Sequence, residues 1–129
     1  MRTVKLIVEK NKDGFWGQLA EIPDVFCQGE TLDELKANCN EAYELYCETF
    51  QQKTEKLGFE IVVDLTQFFE LNDYINISKL ANRIGINQSL LRQYAKGLKY
   101  PGIKQVEKIQ RTVQKVGEEL MNTKLKPTI

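Results

Sequence analysis

With 129 residues, 18 basic and 18 acidic side chains, three cysteines and no histidine, the chain is sized for one ordinary domain or two small ones. Those counts exclude a disulfide-stapled scaffold, a Cys/His zinc site and any catalysis that needs histidine as acid, base or activator of a nucleophile. Zero net charge hides a division: residues 1–70 carry 7 Lys and Arg against 14 Asp and Glu, and residues 71–129 carry 11 against 4, so the halves stand at −7 and +7, as expected when one half meets a polyanion.

Thr3 to Glu9 mixes β-branched and apolar residues in strand proportions, and Asn11-Lys12-Asp13-Gly14 follows as a turn cluster. Phe15 to Glu21 then alternates, with Phe15, Gly17 and Leu19 on one side and Trp16, Gln18 and Ala20 on the other, which predicts a β-hairpin. Pro23 cannot donate to a ladder and breaks that strand. Val25 to Gly29 supplies a short third one. Thr31 with Glu34 forms a capping box, so a helix starts at Leu32. Its stripe of Leu32, Leu35, Cys39, Ala42, Tyr43, Tyr46, Cys47 and Phe50 faces the sheet, while Lys36, Asn40, Glu41, Glu44 and Glu48 take the other side. The helix ends before Gly58, and Phe59 to Leu65 reads as a fourth strand. Cys27, Cys39 and Cys47 are packing residues in a reducing compartment.

From residue 65 the pattern becomes helical. Thr66 to Leu71 is a short apolar helix, Asn76 caps a helix over Ile77 to Ile84 stopped by Gly85, and Asn87 caps the next, which runs to Lys96 and stops at Gly97. After the loop Lys99-Tyr100-Pro101-Gly102, Ile103 to about Asn122 is a final amphipathic helix with Ile103, Val106, Ile109, Val113, Val116 and Leu120 on its buried stripe. That stripe is longer than a small bundle requires, so the last helix is expected to dimerise the chain. The whole is an α+β protein: β-β-β-α-β over residues 1–64, then an all-α unit over residues 65–129.

The segment from Leu80 to Tyr94 carries the chemistry. Leu80 and Ala81 allow close approach of the first helix, Gly85 takes the turn, Ile86 plugs the corner and Leu91 anchors the second helix. Two helices held across so short a turn place the second in a DNA major groove. Its outward side chains Gln88, Ser89, Arg92 and Gln93 are the candidate base readers, since Gln matches the edge of adenine, Arg that of guanine and Ser either base or a phosphate. Asn87, Lys96, Lys99, Tyr100 and Lys104 are the candidate phosphate contacts. No catalytic, metal or cofactor residues are expected. Two-metal nuclease chemistry needs converging carboxylates, whereas Asp13 sits in a turn, Asp33 and Glu34 at a helix cap, and Glu41, Glu44 and Glu48 along a solvated face. The absence of an apolar run approaching the roughly 18 residues of a bilayer span, and of a leader pattern at the start, predicts a cytoplasmic protein.

Residues 65–119 resemble the Cro and phage-repressor type of helix-turn-helix domain through Leu80, Ala81, Gly85, Gln88-Ser89, Tyr94, Gly97 and the loop Pro101, with Ala95 where that pattern often carries glutamate. Residues 1–64 resemble the HicB antitoxin N-terminal domain, a partial RNase H-like unit, through Asp13-Gly14-Phe15-Trp16, Ile22-Pro23-Asp24-Val25, Cys27 to Glu34 and Glu41-Ala42, with Phe26 in place of the usual glycine. The two together imply an antitoxin that masks a small basic, mRNA-cleaving HicA toxin with its acidic N-terminal domain and represses its own operon as a dimer or tetramer on double-stranded operator DNA. The alternative is a stand-alone transcriptional regulator whose N-terminal domain senses a ligand or oligomerises.

Overall fold

The alternation of the first twenty residues becomes two antiparallel strands, β1 (Arg2–Asn11) and β2 (Gly14–Leu19), joined by a tight turn in which Asn11 Oδ1 accepts from the Asp13 amide at 2.9 Å. The computed structural model describes residues 1–128. β3 (Phe26–Gly29) pairs antiparallel with β2, and α1 (Leu32–Thr49) then carries the chain across the sheet to β4 (Leu57–Val62), which pairs parallel with β1. The result is a four-stranded mixed sheet of order β3-β2-β1-β4 in an α+β fold. A parallel neighbour requires a crossover, and α1 supplies it.

Side chains alternate across the sheet as the hairpin pattern predicts. Val4, Leu6, Val8, Phe15, Leu19, Cys27 and Leu57 are buried and meet Leu35, Cys39, Tyr43 and Cys47 of α1, while Ile7, Trp16, Phe26 and Val62 face outward. The α1 backbone lies close to the sheet at Gly29, where a Cβ would fall 2.5 Å from the Leu35 nitrogen. Only glycine fits there. Thr31 Oγ1 accepts from the Glu34 amide at 3.1 Å, the expected N-cap. All three cysteines are free and buried; contact with the Cys27 thiol, then burial, pushes the Cys39 thiol well up, so it stays protonated.

Several expectations are corrected. Asn40 does not face solvent: its Oδ1 accepts from the Leu57 amide at 3.2 Å and fixes the start of β4. Phe50, expected on the buried stripe, is exposed just past the end of the helix, as its C-cap. The fourth strand begins at Leu57 and takes in Gly58, and it ends before Asp64, which instead caps α2 (Leu65–Leu71) by accepting from the Gln67 amide at 2.8 Å. Gln67 in turn holds the backbone of Lys10, accepting from its nitrogen at 2.7 Å and donating to its oxygen at 3.4 Å. The chain accordingly divides into two compact units, Met1–Gln67 and a second starting at Phe68.

The second unit contains α3 (Ile77–Ile84), α4 (Gln88–Ala95) and α5 (Ile103–Met121), packed around Phe69, Leu80, Ala81, Ile84, Leu91, Tyr94 and Ile109. On α5 only Ile109 is buried. Ile103, Val106 and Leu120, expected inside, are exposed, and Val113 and Val116 are half-buried, because within one chain the helix contacts little beyond α3. Among the described residues no helix is long and apolar enough to cross a membrane.

Candidate nucleic-acid interface

α3 and α4 are held by caps that their sequences supply. Asn76 Oδ1 accepts from the Lys79 amide and Asn87 Oδ1 from the amides of Ser89 and Leu90, at 2.8 and 3.3 Å for the second helix. Between them Gly85 adopts φ 87°, and the Ile86 amide returns to the Ala81 carbonyl at 3.1 Å, closing α3 with a left-handed turn. Leu80, Ala81, Ile84 and Leu91 fill the angle between the helices, and Ile86 is half-buried at the corner. A three-residue connection, Gly85 capping one helix, Ile86 at the corner and Asn87 capping the next, thus sets the direction of α4 relative to α3.

Leu91 and Tyr94 turn α4 inward, which leaves Gln88, Ser89, Arg92, Gln93 and Lys96 as one continuous polar face. Ser89, Arg92 and Lys96 are exposed; Gln88 and Gln93 are half-buried. Asn87, Lys99, Tyr100 and Lys104 are exposed around the helix start and the following loop, with Tyr100 at 84% exposure. Every residue expected at the interface is therefore on the surface of one unit, and the face has no acidic side chain between Gln88 and Lys104.

The structure adds contacts that residue spacing did not reveal. Arg92 Nη2 donates to Ser78 Oγ at 2.9 Å and to Gln88 Oε1 at 3.2 Å, and Gln88 Nε2 donates to Asn82 Oδ1 at 3.1 Å. Ser78 and Asn82, which lie on α3, were not candidates by sequence; their positions four residues apart on the exposed side of that helix were the available signal. On the far side of α3, Arg83 pairs with Glu119 of α5 and draws its carboxyl below the ordinary glutamate value.

The first unit presents a second surface. On the outer face of the sheet the register sets Val62 beside Ile7, Ile7 beside Gln18 and Gln18 beside Phe26, with Trp16 between Glu9 and Gln28. Trp16 is 41% and Phe26 62% exposed. By sequence they carried no assigned role; apolar side chains at the solvent phase of an alternating strand were the available signal. The carboxylates of Asp13, Glu30 and Glu34 line a shallow depression at the hairpin end, and among the described residues no group of three or more His, Cys, Asp or Glu is placed to hold a metal ion. No protein-family model matches the chain, and no curated protein matches it in sequence.

Proposed function

We propose that this chain is a HicB-type antitoxin: a DNA-binding autorepressor whose N-terminal unit masks a small basic, mRNA-cleaving toxin. The observation that carries the reading is the α3–α4 pair, with its polar face of Gln88, Ser89, Arg92 and Lys96, set in the half of the chain that holds 11 basic against 4 acidic residues. Gln93 joins the base-reading set at the edge of that face, and Asn87, Lys96, Lys99, Tyr100 and Lys104 meet phosphates, which fix register without carrying sequence information.

Support for a protein partner comes from the other unit. Exposed Ile7, Trp16, Phe26 and Val62, grouped around Gln18 on the outer sheet face, form the kind of surface that marks an interaction site, and the acidic residues of that half of the chain complement a basic RNA-binding protein. The exposed side of α5, with Val106 and Leu120, fits a second copy of the chain, which a palindromic operator requires.

Co-expression with the product of the adjacent gene tests the antitoxin half. Growth arrest by that product should be relieved by this chain, and Trp16→Glu with Phe26→Glu should abolish relief while DNA binding persists. No arrest and no complex with any small basic protein, alongside retained operator binding, would instead leave a stand-alone regulator whose outer sheet face joins copies of itself.

A further inference from the structure

The polar face of α4 is not a row of independent side chains. The bonds from Arg92 Nη2 to Ser78 Oγ and Gln88 Oε1, and from Gln88 Nε2 to Asn82 Oδ1, form one connected chain across α3 and α4. Its direction is chemically forced. A guanidinium has donors only, so Gln88 must turn its carbonyl oxygen to Arg92; its amide nitrogen then points away, and Asn82 must answer with its own oxygen.

The proton count decides which side chain is left able to read a base. Arg92 Nη2 carries two protons and meets two acceptors, Ser78 Oγ and Gln88 Oε1. Each planar fork of a guanidinium uses Nη2 together with Nη1 or with Nε, so Arg92 held in this way has no fork to offer the paired acceptors of guanine. Its remaining protons suit single contacts such as a phosphate oxygen. Gln88 differs: after its two bonds it retains one amide proton and one carbonyl lone pair, a donor and an acceptor of the kinds that N7 and N6 of adenine call for.

We infer that Ser78 and Asn82 are positioning residues that, together with Arg92, clamp the Gln88 amide in one orientation for reading an A·T pair, Arg92 serving the clamp and not reading guanine. The inference rests on the DNA-binding function proposed above and assigns the division of labour within that site. Pre-orientation matters because fixing a free, rotamer-rich side chain at an interface forfeits about two- to tenfold in affinity. A clamp already formed removes that loss for the matching base pair alone.

The test uses the full chain. Selection from random-sequence duplexes gives the preferred site, and Gln88→Ala identifies the base pair whose preference depends on Gln88. Wild type, Asn82→Ala, Ser78→Ala and Ser78→Thr are then titrated on the preferred site, on the same site changed at that pair, and on random duplex. We expect an A·T pair whose preference falls about two- to tenfold in both alanine variants, recovers in Ser78→Thr, and shows no further loss when Asn82→Ala is added to Gln88→Ala. Affinity for random duplex should stay at the wild-type level, which also reports that the variants fold. The inference is overturned by a Gln88-dependent G·C pair, by undiminished preference in both alanine variants, or by an Asn82 effect that survives in the Gln88→Ala background. A wild-type chain with no preference over random duplex would overturn the operator recognition proposed above, and this inference with it.

Discussion

Lys96 and Gly29 show how single residues divide between contact and architecture. Lys96 caps the C-terminus of α4 on the exposed side of the polar face. Lys96→Ala should weaken specific and random DNA alike and reduce the salt slope of binding by about one charge, read from titrations at several ionic strengths. Gly29 is architectural. A methyl group there meets the backbone of Leu35 within 2.5 Å, and backbone cannot swing aside as a side-chain end can. Gly29→Ala should therefore cost about 2 kcal/mol or more of stability in the first unit, measured by denaturant unfolding, with α1 displaced from β3. Candidate readers at this scale were legible because a helix period sorts outward from inward positions. The bonds that tie Arg92 to Ser78, and Gln88 to Asn82, were not, since they join residues 14 and 6 positions apart and depend on the crossing of two helices.

Among the elements, α3 and α4 were the most legible, because Asn76, Gly85 and Asn87 each satisfy orphan backbone groups within a few residues of themselves. β4 was less so. Gly58 looked like a helix stop, yet it lies within the strand, and Leu57 is held by Asn40 from 17 residues away, a tertiary bond that no local pattern encodes. α5 illustrates the limit of periodicity: an apolar stripe tells which face seeks cover, but not whether the same chain supplies it. Here one chain covers Ile109 and leaves Val106 and Leu120 exposed. Replacing Val106 and Leu120 with aspartate should convert a dimer to a monomer in sedimentation while circular dichroism remains that of the folded chain; an unchanged dimer would remove α5 from the interface. The Arg83–Glu119 pair joins α3 to α5. Because the folded state lowers the Glu119 value, its contribution is present above the ordinary glutamate value of about 4.3 and is lost as pH falls through the lower, folded value. The difference in melting temperature between wild type and Glu119→Gln should thus be small, as for any exposed pair, present at neutral pH, and vanish in acid.

At the scale of the whole molecule, the division of charge follows the division into units closely enough to suggest two tasks. The acidic half builds a sheet with one face covered by α1 and the other open, carrying exposed Ile7, Trp16, Phe26 and Val62 among polar neighbours, and the basic half builds a helix pair with a polar outer face. Composition alone revealed the split. What it did not reveal is that each of the four strands places one apolar side chain on the outer sheet face, around Gln18, since that requires the β1–β4 pairing that brings Val62 beside Ile7. Each unit thereby has a surface suited to a different class of partner, and occupancy of one surface can report on the other only if both are used by the same molecule.

The most direct test is to titrate the purified full chain against the DNA upstream of its own coding sequence, with random duplex of equal length as reference, at a fixed near-physiological salt concentration. A sequence-specific autorepressor predicts binding at least about a thousandfold tighter to the upstream segment, at a site carrying the A·T pair that depends on Gln88. Equal affinity for the two duplexes would contradict the account.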